Sequence, residues 1–421
     1  MSEARPIMRE ILDGNAFKYV CECMLVAKQA FQGGDPAKDI TVRFYSDDAI
    51  APRCTRKSQG IYSIYFPTGV FNRLYLLLTI MLSPTLDRLG LVEQKLSPTD
   101  KRDVANAIPG RLRCIFDPEH ALNSDETKSL LAEFALPARG DQLTRLHMLS
   151  AAFLFFSYHE LAHIDSGHFE LAQEINRKPD AWDSKSTLGM TRKEILEGLE
   201  VSADQQSARS LTGPILAIVQ AESDSLASGR VSIAEVLQKA LWPFAVGLAC
   251  AVTLTDWRSR SFDVVTLTNY PHPVVRWSII QGVIREELGW DSQLGMAWFE
   301  HSNAALRFVN GRIGAAYLSE VIKVNWEKPG HPIAQLQVDR NLFGNSVLFE
   351  YIIRSVERGR RAEYILSQFR GGFLKLLPAY SDVDRNWEEQ LNRFRLINER
   401  RNQALADPLV NPFSQSPTRR S

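Results

Sequence analysis

The stretch that decides how the chain is read is "FLFFSYHELAHIDSGHFELA", Phe153 to Ala172. An apolar run (Phe153, Leu154, Phe155, Phe156) leads directly into His159, Glu160 and His163. Residues four apart lie one turn above each other on the same face of an α-helix. His159 and His163 can therefore offer two imidazole nitrogens to one ion, with Glu160 on the neighbouring side, free to reach a water. The same spacing supplies two ligands and a general base from one turn in metallohydrolases. The competing reading is a chance match on an ordinary buried helix. It leaves two histidines and a glutamate beside a greasy run with no reason to be there, because buried polar groups must be satisfied.

Two ligands are too few, since a catalytic zinc takes three from the protein. The metzincin continuation H-x-x-G-x-x-H fails: Ser166 and Phe169 hold those positions, while Gly167 and His168 miss the register by one residue. Five residues beyond His163 and past a glycine that ends or bends the helix, His168 is expected to support the site or the fold, not to ligate. The other source of a third ligand is a glutamate on a second helix. "TRKEILEGLEVSADQQSA" (Thr191 to Ala208) starts with Thr191 and Glu194, a capping-box pair. Glu200 and Asp204 follow, four apart on one face, as a ligand and a carboxylate that can fix a ligand histidine's tautomer. Glu197 is a rival ligand with Val201 where that carboxylate is needed, so Glu200 is preferred. Small Ser202 and Ala203 mark a place of close helix packing.

These motifs bring a family into view. "HELAHIDSGH" followed by "EVSAD" resembles the gluzincin peptidases of the HtpX and CAAX-prenyl-protease type, which carry H-E-x-x-H and then E-x-x-A-D. The resemblance covers about residues 40 to 285. It implies one catalytic Zn2+ held by His159, His163 and Glu200, with Glu160 as base and Asp204 in support. Upstream, "GIYSIYFPTGVFNRL" (Gly60 to Leu74) is similar to the family's edge strand, which implies that Ile61, Ser63 and Tyr65 line the path of an extended peptide by strand addition. The alternative for that segment is an internal strand. Downstream, "NYPHPVVRWSII" (Asn269 to Ile280) resembles the family's His-Pro…Arg segment. It implies His272 as the oxyanion donor, with Tyr270 and Tyr158 as alternatives, and Arg276 as a supporting cation. The soluble Lit-like phage-exclusion peptidases have a similar core.

The bulk numbers agree with a soluble enzyme. The chain has 421 residues, 45% hydrophobic and 23% charged, with a formal net charge of zero. Nothing global points to nucleic acid or an anionic membrane. Five scattered cysteines (Cys21, Cys23, Cys54, Cys114, Cys250) suit reduced thiols in a cytoplasm-like compartment. The N-terminus shows no secretory signal. The apolar stretch Trp242 to Leu254 is shorter than the ~20 residues that span a bilayer, and reads as a core helix.

The fold class expected is α+β, a mainly helical zincin-like metallopeptidase with a small β-sheet and a C-terminal helical region. Strands are expected at Asp39–Ser46 and Gly60–Gly69, with another short one at "RLRCIF". Helices are expected over Met8–Phe31, Phe71–Leu82, Gln142–Glu174, Lys193–Ala221 (broken or kinked at Gly213 and Pro214), Ile233–Thr255 and Val274–Leu288. The division expected is a metallopeptidase domain over 1–290, a helical accessory domain over 291–405 and a disordered tail over 406–421. Function is then hydrolysis of a protein or peptide substrate. The rival is an idle, metal-stabilised interaction protein working through its arginine-rich C-terminal region, which includes Ile352 to Gly372, although glutamates (Glu350, Glu357, Glu363, Glu388, Glu389) are interleaved in that region as on an ordinary solvated helix.

Overall fold

The computed structural model describes residues 11–34, 38–47, 49, 51–84, 115, 122, 124–136, 139–177, 190–223, 232–255, 273–309 and 346–369. In chain order these give α1 (Gly14–Gly34), β1 (Asp39–Tyr45), β2 (Arg53–Ser58), β3 (Ile61–Pro67), α2 (Thr68–Leu82), α3 (Ser124–Glu133) and α4 (Arg139–Ser166). Then follow α5 (His168–Arg177), α6 (Arg192–Ser223), α7 (Ile233–Thr255), α8 (Pro273–Glu287), α9 (Gln293–Val309) and α10 (Ser346–Phe369). The architecture is mostly helical with one small sheet, as expected for an α+β chain.

Local chemistry explains the boundaries. α1 starts later than its apolar periodicity suggests because Asp13 caps it: Oδ1 accepts the backbone N–H of Asn15 and of Ala16, both at 3.0 Å, a contact worth about 1 kcal/mol. The expected single helix through Glu174 is two. Gly167 takes φ 71°, a left-handed conformation that glycine adopts without strain, and α5 leaves in a new direction. α6 opens on the anticipated capping box. Thr191 N–H donates to Glu194 Oε2 at 2.9 Å, and Glu194 N–H donates back to Thr191 Oγ1 at 3.3 Å. It then runs unbroken through Gly213 and Pro214 to Ser223. Proline removes one internal hydrogen bond, but Leu211 and Ile215, buried on either side of it in sequence, hold the helix to the core.

The sheet order is β1-β3-β2, with β3 parallel to β1 and antiparallel to β2. This corrects the expectation for Ile61, Ser63 and Tyr65. They lie on the central strand, whose backbone groups are already paired on both sides, so β3 cannot accept a peptide strand. β2 escaped the sequence reading because "RCTRKS" has no apolar alternation. It is polar because it is an outer strand, where charged residues are the rule. The "RLRCIF" strand lies outside the described residues except Ile115, which is helical.

One face of the sheet (Ile40, Tyr62, Ile64, Phe66) packs on the helices, with Phe66 against Phe153 of α4 and Phe44 against Phe17 of α1. α4 is buried almost throughout from Met148 to Ile164, between the sheet, α1, α6 and α7. α7 spans Ile233–Thr255, the range expected of it. Ile233–Leu254 (22 residues) is long and apolar enough to cross a membrane, but 72% of its most apolar window is buried inside the protein, as in a core helix. Trp298, Ala305, Leu306 and Val309 of α9 share this same core. The 290 boundary therefore cuts through packed side chains. α10 lies along α6, with Ala362, Ile365 and Leu366 packed beside Ile195 and Leu199.

Candidate metal centre

α4 supplies His159, Glu160 and His163, all under 10% exposed, and α6 supplies Glu200 and Asp204. His159 Nε2 stands 3.1 Å from His163 Nε2 and 3.2 Å from Glu200 Oε2, and His163 Nε2 stands 3.5 Å from that same oxygen. Three ligand atoms bound tetrahedrally at ~2.0–2.2 Å would be about 3.3–3.6 Å apart. The spacing is that of a metal site.

The protonation states make the same point. Asp204 is fully buried and receives Arg276 through Nε and Nη2, each at 2.7 Å. Burial alone would raise its pKa, but Arg276, and then His159, more than reverse this and lower it, so Asp204 is an acceptor. His159 Nδ1, 2.9 Å from Asp204 Oδ1, must then carry the hydrogen. Its Nε2 is left with a bare lone pair aimed at the Glu200 oxygen. Two acceptors at 3.2 Å in a buried site repel each other unless a cation lies between them. Without a metal the only cation available is a proton. Burial works against it, yet the Asp204 and Glu200 carboxylates hold His159 up at about 10. For Glu200 burial again opposes charge, and the two histidines overcome it, driving its pKa far down. The site is built to hold positive charge.

His163 Nδ1 lies 2.8 Å from His168 Nδ1. His168, at the start of α5 and 2% exposed, thus orients the second histidine as Asp204 orients the first. Glu160 lies beside the two histidines and close to Cys54 of β2, whose backbone N–H bears on its carboxylate. Burial raises the Glu160 pKa and the neighbouring histidines only partly offset this, the direction that suits a proton-carrying base.

Glu197, the rival ligand, faces elsewhere. Its two oxygens accept Arg358 Nη1 of α10 at 3.1 and 3.0 Å. One further turn of α6, Ser202 Oγ donates to Glu363 at 2.7 Å. Tyr158 is half-buried against the core and burial pushes its phenol up; no described hydrogen bond joins it to the triad. His272 and Tyr270 lie outside the described residues. The sequence reading missed Cys54 and β2, whose contact with Glu160 depends on tertiary packing and leaves no local signal.

No family model matches the chain, and no curated protein or solved structure matches it either. The functional reading therefore rests on the donor set and its surroundings.

Proposed function

We propose that the chain is a zinc-dependent endopeptidase with a zincin-like core, working on a protein or peptide substrate. The observation that carries the reading is the convergence of His159 Nε2, His163 Nε2 and Glu200 Oε2 within 4.8 Å of one another, with Glu160 beside them and unused as a ligand. Two imidazoles and one carboxylate are the donor set of catalytic zinc, which keeps a further position open. Zinc bound there supplies Lewis acidity, acidifying water from about 15.7 toward ~7 and polarising a carbonyl. Glu160 takes the attacking water's proton and delivers it to the departing amide nitrogen. His159 and His163 would turn their lone pairs to a bound ion, since Asp204 and His168 stand at their other nitrogens.

β2 now takes the role expected of β3. Among the described residues no strand pairs with its outer edge. An extended substrate laid along that edge would be held by main-chain hydrogen bonds beside the base. Oxyanion stabilisation is assigned to His272. The chain falls among cytoplasmic enzymes on this reading, with narrow specificity or latency restraining it. The interaction-protein reading draws no support from α10: Arg358 is bound to Glu197 and Glu194, and Arg361 to Glu357.

The test is a proteome-wide comparison of new N-termini in cells making the wild-type chain or Glu160→Gln. A small set of termini found only with wild type is expected. Identical profiles, together with full zinc occupancy of both proteins, would remove the peptidase reading.

A further inference from the structure

Strand residues alternate between faces. On β1, β2 and β3 the face turned away from the helices carries Thr41, Arg43 and Tyr45, then Arg53 and Thr55, then Ile61, Ser63 and Tyr65, while Lys57 is the exposed extra residue where the β2 register shifts. The register sets these in rows. Arg43 pairs with Tyr65 and Tyr65 with Arg53; Thr41 pairs with Ser63 and Ser63 with Thr55. With strands about 4.8 Å apart, the two guanidinium-bearing positions stand roughly 10 Å apart across the Tyr65 row. Lys57, beside the β2 irregularity, joins them. Arg43, Arg53 and Lys57 are exposed, and no described carboxylate forms an ion pair with any of them. Acids in the vicinity are Asp39, at the far end of β1, and Asp47, just beyond its other end. The remaining cations near the sheet are engaged: Lys38 with Asp165 and Arg56 with Glu170.

A basic sheet face with tyrosines could suit nucleic acid, but the rings here are engaged. Tyr45 and Tyr65 stand edge to face at 6.0 Å, and the Arg53 guanidinium lies over both, 5.1 and 5.7 Å from their centroids. The Arg53 guanidinium thus competes with a base for both rings. What stays available is a set of cations and hydroxyls (Arg43, Arg53, Lys57, Thr41, Thr55), which suits carboxylates. The position matters as much as the chemistry. β2 carries Arg53 and Thr55 on this face, has Lys57 at its register shift, and sets Cys54 close to Glu160. A peptide lying along its outer edge turns every second side chain toward the same basic face.

We propose that this outer sheet face is a specificity surface for acidic substrate segments, with Arg53 and Lys57 reading Asp or Glu at alternate positions flanking the cleaved bond and Arg43 extending the field. The proposal rests on the peptidase reading for its role, but its binding chemistry can be measured without cleavage.

The experiment uses the full chain carrying Glu160→Gln, loaded with zinc, and fluorescein-labelled extended peptides of alternating Glu and Val or alternating Gln and Val, followed by anisotropy. The Glu peptide should bind about tenfold tighter or more, with the advantage falling as salt rises. Arg53→Glu with Lys57→Glu should abolish the preference, and Arg53→Lys with Lys57→Arg should keep it. Equal binding of the two peptides, or a preference untouched by charge reversal, would overturn the proposal. So would tighter, Arg53-dependent binding of oligothymidine than of the Glu peptide. If the Glu preference holds while no wild-type cleavage is ever found, the peptidase reading fails and the surface stands. If cleavage is found at sites without flanking acids, the surface fails alone.

Discussion

Asp204 stands between His159 and Arg276, 2.9 Å from the ring nitrogen of one and accepting two 2.7 Å hydrogen bonds from the other. All three groups are buried, so the chain of charges works as a unit. Arg276 keeps Asp204 ionised, Asp204 fixes the His159 tautomer, and His159 turns its lone pair to the site. Asp204→Asn keeps the shape but gives His159 a neutral amide in place of a carboxylate. Zinc affinity should fall about 10- to 100-fold, measured by competition with a chromogenic chelator. Arg276→Met leaves Asp204 buried with His159 as its remaining partner and no fixed cation, which should cost up to about 3–5 kcal/mol of stability in urea unfolding. An unaltered midpoint there would mean that the pair does not hold.

Removing ligands separates the roles of three glutamates. Glu200→Ala should lose stoichiometric zinc, while Glu160→Gln should retain it, both read by metal analysis after gel filtration. Glu197→Gln should also retain zinc, because its partner is Arg358. Retention by Glu200→Ala and loss by Glu197→Gln would reverse the assignment made from the geometry.

Chelation gives a stability readout independent of activity. A ligand that binds only the folded state adds RT ln(1 + [L]/Kd), about 4 kcal/mol when it is present at a thousand times its Kd. Stripping zinc from the wild type should therefore lower its melting temperature by several degrees, and the same treatment of Glu200→Ala should change little. Equal shifts in both proteins would place the stabilising metal elsewhere.

The metal centre was legible because its parts are local. One helical turn fixes His159, Glu160 and His163, another fixes Glu200 and Asp204, and the Thr191–Glu194 box announces the second helix. Choosing Glu200 over Glu197 also followed from spacing, since Glu200 has Asp204 four residues on where Glu197 has Val201. The sheet was less legible. Nothing in "GIYSIYFPTG" says whether its strand lies at an edge or in the middle, since both alternatives bury apolar side chains. The true outer strand, "RCTRKS", lacks the apolar alternation by which strands are recognised. The partnership of α10 with α6 was half visible. Ser202 and Ala203 pointed to close packing, but the partner, some 160 residues away, carries arginines that read as a solvated face until Glu197 is placed opposite Arg358.

His168 offers a finer test, because among the described residues it meets the triad through His163. His168→Phe fills similar space but offers no partner for His163 Nδ1, 2.8 Å away. Zinc affinity should drop about tenfold or more, with the melting temperature of the metal-free protein little changed. His168→Asn, whose amide can still accept a hydrogen bond, should recover part of the loss. Equal affinity in the wild type and the Phe variant would leave His168 with a packing role only.

The seam between α6 and α10 yields the last prediction. A Cβ at Gly198 would stand 2.4 Å from the Arg358 carbonyl oxygen and 2.7 Å from Ala362 Cβ. Neither neighbour can give way as a flexible side-chain end could, so Gly198→Ala must push α10 off α6. That movement would pull Arg358 from Glu197, which is fully buried and whose pKa burial already raises against the pull of Arg358. The penalty therefore combines steric overlap with a stranded carboxylate, and overpacking alone costs about 1–3 kcal/mol. Because Glu200 lies on the same helix less than one turn away, the variant should lose zinc affinity as well as stability. Glu197→Leu with Arg358→Leu removes the charges without the overlap, and should recover stability relative to either single replacement. If Gly198→Ala keeps wild-type stability and zinc affinity, α10 is not coupled to the metal centre, and its arginines must be explained another way.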